Sequence, residues 1–194
     1  MTYLKHMKLN AKELRDLELD HVDISHIKRI PVYLIIDNVY DTYNIGGLFR
    51  LSDALALEKI MLCGSSETPP NPKIKKASIG TYKIVPWEYY ETTKQAIEQL
   101  RSSIPDIKIY AVEQSKDSVP YTNVSYEYPF ALIVGNETSG VDQEVLKLVD
   151  QTVEIPMFGI NKSLNVIVSA AIVAYNSILR TSPANTISET PADE

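Results

Sequence analysis

Cysteine is almost missing: Cys63 is the single one in 194 residues. No internal disulfide can form and no cysteine cluster can hold zinc, which excludes a secreted disulfide scaffold. Histidine is nearly as scarce; His6, His21 and His26 lie near the amino terminus at spacings that suit no metal cluster, so no metal is expected. The chain has only seven glycines. It contains neither GxGxxG nor GxxxxGK followed by Ser or Thr, so both the dinucleotide fingerprint and the P-loop are excluded. No apolar run approaches the ~18 residues of a membrane span. The opening MTYLKHMKLNAKELRDLELDH carries charges throughout and lacks the apolar stretch of a signal peptide. These absences together predict a cytoplasmic protein with no membrane partner.

Hydrophobic residues make up 44% and charged residues 23%, the composition of an ordinary globular domain rather than of a disordered or fibrous chain. The length predicts one compact domain with appendages. A net charge of −6 argues against strong sequence-independent affinity for nucleic acid. The charge is unevenly spread, however. The last fourteen residues, TSPANTISETPADE, hold three acids and no base, whereas NPKIKKASIGTYK at 71–83 holds four lysines and no acid. A local basic patch is therefore available.

Residues 1–30 read as a polar helical extension with a partial stripe of Leu9, Leu14 and Leu17, residues 31–180 as the folded domain, and residues 181–194 as a disordered acidic tail. Within the domain, strands and helices alternate. VYLIID (32–37) and KIMLC (59–63) are strands, with a helix between them marked by Ile45, Leu48, Phe49, Ser52 and Leu55. A weaker strand at 83–86 precedes a helix at 92–103. Strands IKIYAV (107–112) and FALIVG (130–135), a helix at 141–149 and strand TVEIP (152–156) complete the series. That order predicts an α/β fold with a mostly parallel sheet covered by helices on both faces. The last helix, 164–180, is apolar nearly all round and must be buried on most sides, one of them by a partner subunit.

Three loops at strand carboxyl ends carry the chemistry, where open α/β sheets place their ligands. In DNVYDTYNIGGLFR (37–50), an ordinary strand-to-helix turn explains Asn44 as a cap, but it does not explain Arg50, whose planar five-donor fork suits phosphate. In GNETSGV (135–141), Gly135 and Gly140 permit tight turns, and Glu137 beside a helix amino terminus is accounted for by capping alone. In IPMFGINKSLNVIVSAAIVAYN (155–176), Ser163 serves equally as an N-cap or as one of a group of polar residues that bind something.

Taken together, NIGGLFR (44–50), GNETSG (135–140) and IPMFGINKSLN (155–165) with the Ala-rich helix after it resemble the three ordered motifs of the SpoU branch of the SPOUT methyltransferases, the TrmH-like RNA 2′-O-ribose methyltransferases. KKASIGTYKIVPW (75–87) resembles the family's intermediate segment. The resemblance implies a carboxyl-terminal trefoil knot, a rare exception to unknotted topology. It implies a pocket for S-adenosylmethionine bounded by Val112, Glu113, Gly135, Ile155, Met157 and Leu164. It also implies a catalytic group of Arg50, Asn44, Glu137, Ser163 and Asn165, a homodimer, and an RNA substrate, with tRNA favoured over rRNA.

Methyl transfer to a ribose hydroxyl needs the oxygen aligned behind the methyl group and the charge growing on it stabilised. A guanidinium with a pKa above ~12 suits a donor better than a base. Lys73, Lys75, Lys76, Lys83 and Lys162, with Arg15, Lys28 and Arg29, are the candidate phosphate contacts, converging from two subunits. The competing reading is a non-catalytic RNA- or S-adenosylmethionine-binding protein that retains the fold. Of the twelve tyrosines, most belong to strands and helix ends and read as core; Tyr40 and Tyr43, flanking the first loop, are the ones placed to stack on a base.

Overall fold

The structure, a computed structural model, describes residues 8–16 and 27–181. The three histidines, Leu17 and the acidic tail beyond residue 181 lie outside the described residues. In chain order the elements are α1 (Ala11–Asp16), β1 (Ile30–Asp37), α2 (Thr42–Ala54), β2 (Leu57–Cys63), α3 (Pro72–Ala77), β3 (Trp87–Tyr90), α4 (Thr93–Ser103), β4 (Lys108–Val112), β5 (Val119–Pro120), β6 (Phe130–Gly135), α5 (Gln143–Leu146), β7 (Gln151–Glu154) and α6 (Val166–Thr181). The strands form one sheet in the order β3-β2-β1-β6-β4-β7-β5. Every pairing in it is parallel.

The strand sequences dictate this arrangement through their period of two. Val32, Leu34 and Ile36 of β1, Ile60 and Leu62 of β2, and Phe130, Leu132 and Val134 of β6 point to one face, into a core shared with α2, α3 and α6. Ile35, Met61, Cys63, Ala131 and Ile133 point to the other, toward α4 and α5. Both faces being apolar, the strands read as continuous hydrophobic runs, as buried parallel strands do. On the first face Gly46 lets α2 approach α3 closely, since a Cβ there would stand 2.4 Å from the Cβ of Ala77.

Several boundaries differ from the sequence expectation. Residues 83–86 are not a strand: Thr81–Lys83 is a short 3-10 turn held by Thr81 Oγ1 donating to the Ser78 carbonyl, and the strand starts at Trp87, past Pro86. β5, two residues long, has no periodicity to detect. α5 stops at Leu146 rather than near 149 because the following turn is drawn to the sheet, with the Asp150 N–H donating to the Ile109 carbonyl. α6 starts at Val166, where the Asn165 side chain accepts from the Ile167 N–H. Nor is α6 buried on most sides by its own chain: Val168, Tyr175 and Leu179 are 45%, 45% and 53% exposed.

At the carboxyl end of β1, Asp37 is 1% exposed. Its Oδ1 accepts from Thr93 Oγ1 at 2.5 Å and Asn38 Nδ2 at 2.9 Å, and its Oδ2 from the Asp142 N–H at 2.9 Å. Cys63 lies beside it, and burial pushes its thiol up to about 12. Replacing Asp37 by Ala removes an acceptor from three donors, so Asp37→Ala should lose about 3 kcal/mol of stability in urea unfolding. In the parent protein Cys63 should resist iodoacetamide at pH 8 until the chain is unfolded, because the thiolate is the nucleophile. Rapid labelling of the native thiol would contradict the packing.

Candidate active site

Strands β1, β6, β4 and β7 are neighbours and run parallel, so the segments that follow them emerge at one edge of the sheet. Between three of these segments lies a cavity of about 270 Å³. All six residues expected around a cofactor, Val112, Glu113, Gly135, Ile155, Met157 and Leu164, line it, and Glu137 and Ser163 border it too.

The wall at 135–141 is a tight loop. Asn136 and Gly140 exchange both backbone hydrogen bonds, at 3.0 and 2.8 Å, while the Asn136 side chain accepts from the N–H groups of Thr138 and Ser139. The chain then passes so close to Gly135 that a Cβ there would stand 2.2 Å from the Gly140 carbonyl carbon and the Val141 nitrogen. Glu113 latches this loop to the end of β4. Its Oε2 accepts from the Val141 N–H at 2.9 Å and its Oε1 from the Gln114 N–H at 2.8 Å. The Glu113 carboxylate is thus engaged in shaping the wall. On the opposite side Gln114 Nε2 donates to the Lys162 carbonyl at 2.7 Å, tethering the 155–165 loop.

At the rim, three of the five expected catalytic side chains meet. The Ile167 N–H donates to Asn165 Oδ1 at 2.9 Å, which leaves the Asn165 amide nitrogen to donate to Asn44 Oδ1 at 3.0 Å. Asn44, with its oxygen used, donates from Nδ2 to Glu137 Oε1 at 2.5 Å. One backbone N–H therefore sets the sense of the whole amide chain. Asn44 is 6% exposed and is not a helix cap: α2 is capped by Asp41, whose side chain accepts from the Tyr43 N–H. Glu137 is likewise not a cap, since Asp142 starts α5. Asn165, not Ser163, serves the start of α6; Ser163 is exposed, its N–H donating to Asn161 Oδ1 at 3.3 Å.

Arg50 stands apart. It is exposed, takes no part in the amide chain, and lies six residues after Asn44, which puts it on a different face of α2. Of the other basic candidates, Arg29 is turned inward, donating to the carbonyls of Leu57 and Ile84, and burial pulls its pKa down. Residues not singled out from the sequence also line the cavity, among them Gln114, Asn136, Glu154 and Ser169. Asn136 alone had a local signal, an Asx turn after a strand-ending glycine.

An all-parallel α/β sheet with a ligand-sized cavity at its carboxyl edge, rimmed by an ordered polar chain, defines a small-molecule-binding α/β domain. Residues 31–175 match the SpoU rRNA Methylase family model, and the chain belongs to that family. It is 32% identical over 143 residues to the 23S rRNA (guanosine(2553)-2'-O)-methyltransferase RlmP of Bacillus subtilis (strain 168), covering 74% of this chain and 56% of that protein. It is 31% identical over 143 residues to the tRNA (guanosine(18)-2'-O)-methyltransferase of Aquifex aeolicus (strain VF5), covering 73% and 65%. The chain thus spans less than two thirds of the length of either relative. Among solved structures, the A. aeolicus TrmH/SpoU tRNA modifying enzyme superposes with a TM-score of 0.69 at 26% identity, over 88% of this chain and 81% of that one. AviRb from Streptomyces viridochromogenes in complex with AdoMet does so with a TM-score of 0.71 at 25% identity, over 81% and 64%.

The close approach at Gly135 yields a direct test. Gly135→Ala forces a methyl group into backbone, so it should lower stability by about 2 kcal/mol and remove hydrogen-exchange protection from the Val141 amide. An unchanged melting curve and unchanged protection would show that the wall is looser than described.

Proposed function

We propose that this chain is an S-adenosylmethionine-dependent methyltransferase acting on a ribose 2′-hydroxyl of RNA. The observation that carries the reading is the Asn165–Asn44–Glu137 chain at the rim of the cavity, because it joins all three motif loops beside the site where a cofactor fits. The cavity suits that cofactor. Val134, Ile155, Met157 and Val166 give it apolar walls, and Glu137 and Glu154 suit a cationic ligand. No phosphate-binding loop is present that would favour a nucleotide instead.

S-adenosylmethionine, when bound, supplies an electrophilic methyl group. This chain's residues then have to place the ribose oxygen and stabilise the charge growing on it. Asn44, held rigid between Glu137 and Asn165, and Ser163 at the cavity mouth position the ribose. Arg50 donates to an RNA phosphate and to the developing alkoxide, and the hydroxyl proton passes to phosphate or solvent.

Since Arg50 makes no hydrogen bond to the other four among the described residues, a second copy is proposed to complete the site. The exposed stripe of Val168, Tyr175 and Leu179 on α6, at spacings of seven and four residues, supports a homodimer formed along that helix. The return of α6 to pack on α2 after β7 supports the knotted threading. A compact dimer engages one tRNA arm, which favours tRNA; loss of a methyl group from rRNA alone would overturn that choice. No helix among the described residues is long and apolar enough to cross a membrane, and we place the protein in the cytoplasm.

Incubation with labelled S-adenosylmethionine and cellular RNA should transfer label to ribose oxygens. A non-catalytic binding protein would bind both and transfer none. Arg50→Ala should leave cofactor affinity within about threefold, under ~0.7 kcal/mol, and lower the methylation rate at least ~100-fold, about 2.7 kcal/mol. Arg50→Lys should restore little, because an ammonium cannot replace the fork. Methylation by Arg50→Ala at the parent rate would remove Arg50 from the mechanism. Sedimentation should give a dimer, and a stable monomer with full activity would refute the shared site.

A further inference from the structure

The segment joining β1 to α2 forms a second, open cleft of about 630 Å³ with the start of α3, lined by Tyr40, Asp41, Tyr43, Glu67, Asn71 and Lys73 among others. Its tyrosines are unlike those of the core. Tyr110 and Tyr126 are 6% and 4% exposed and pack edge to face with ring centroids 4.9 Å apart, whereas Tyr40 and Tyr43 are 59% and 53% exposed.

Both walls are held in place by the backbone. Asp41 Oδ1 accepts from the Tyr43 N–H at 2.8 Å, which fixes the first turn of α2 and with it the rise of Tyr43. Asn71 Oδ1 accepts from the Lys73 N–H at 2.9 Å, which fixes the first turn of α3 opposite. Lys73, Lys75 and Lys76 are exposed, and none forms an ion pair among the described residues.

These features select an occupant. Exposed aromatic rings beside a capped helix start suit a planar ligand with a π-face, and a lysine at the edge suits a phosphate. The carboxylates of Asp41 and Glu67 inside the cleft repel a phosphate, so the anion stays at the lysine side while a base enters. Tyr43 directly precedes Asn44 on α2, so the cleft and the amide chain are built on the same helix start.

We propose that this cleft binds an unpaired base of the substrate RNA, stacked on Tyr40 and Tyr43, with a flanking phosphate on Lys73. The assignment rests on the reading of the chain as an RNA methyltransferase. Stacking reads a π-face that every base has, so the cleft contributes affinity and register for a splayed-out strand rather than sequence choice.

The test measures binding of a fluorescein-labelled, unstructured RNA hexamer to the full chain in the presence of S-adenosylmethionine, alongside methylation of cellular RNA. Tyr40→Ala and Tyr43→Ala, singly and together, should raise the hexamer Kd, by roughly tenfold for the pair, and raise KM for RNA, with cofactor affinity by calorimetry unchanged. Tyr40→Phe and Tyr43→Phe keep the π-face and should stay within about twofold of the parent. Lys73→Ala should lower the salt slope of binding by about one, which the tyrosine changes should leave alone. Hexamer affinity that ignores both tyrosines, or a parent that binds no hexamer, overturns the assignment even if RNA is methylated normally. Tyrosine-dependent hexamer binding by a parent that methylates no RNA sustains the cleft and defeats the proposed activity instead. Displacement of no RNA but capture of an extended peptide at Tyr40 and Tyr43 would assign the cleft to a protein partner and overturn it as well.

Discussion

A carboxylate taken out of water at the end of a central strand has to be met by donors, and Asp37 meets them on three separate segments. Thr93 opens α4, Asn38 begins the loop toward α2, and the Asp142 N–H lies at the start of α5. One buried charge therefore fastens the loops after β1, β3 and β6 to each other. The edge of the sheet that bears the cavity inherits its shape from that junction, because the 135–141 loop is anchored at one end by β6 and at the other by Asp142.

On this frame the cavity is built by polar groups that satisfy one another rather than by a ligand. Glu113 latches the 135–141 loop, Gln114 holds the 155–165 loop, and the amide chain from Ile167 through Asn165 and Asn44 to Glu137 ties both to α2. A site held this way is preorganised: its amides cannot flip without breaking a bond to backbone or carboxylate. Such preorganisation suits the proposed methyl transfer, in which a weak nucleophile has to be aligned.

The outer surface carries a different logic. α6 covers the sheet with Val166, Ala170, Val173, Ala174 and Ile178 and leaves Val168, Tyr175 and Leu179 in solvent. A helix apolar on two sides suits two interfaces, and the solvent-facing one supports the homodimer proposed above. The lysines of α3 stand beside exposed aromatic rings, and the proposed RNA affinity of this acidic protein rests on that placement rather than on overall charge.

The fold was legible in the sequence wherever a run of apolar residues was long enough to have a period: β1, β2, β4 and β6 and the parallel order follow from alternating apolar strands and helices. The cavity residues Gly135, Ile155, Met157 and Leu164 were reached through the resemblance of their loops to the SpoU motifs, which composition and spacing alone do not supply. Tertiary structure alone decided the rest. Which of Asp41 or Asn44 caps α2, and which of Ser163 or Asn165 serves α6, depends on where the helix starts, and both candidates are good caps locally. Asn44 turns inward because Glu137 and Asn165, 93 and 121 residues away in the chain, are brought beside it. β5 and the turn at 81–83 are too short to carry a pattern, and they exist only because neighbouring strands and carbonyls leave hydrogen bonds to be made. Short-range preference names the residues able to satisfy a buried group; the packing of distant segments decides which of them does.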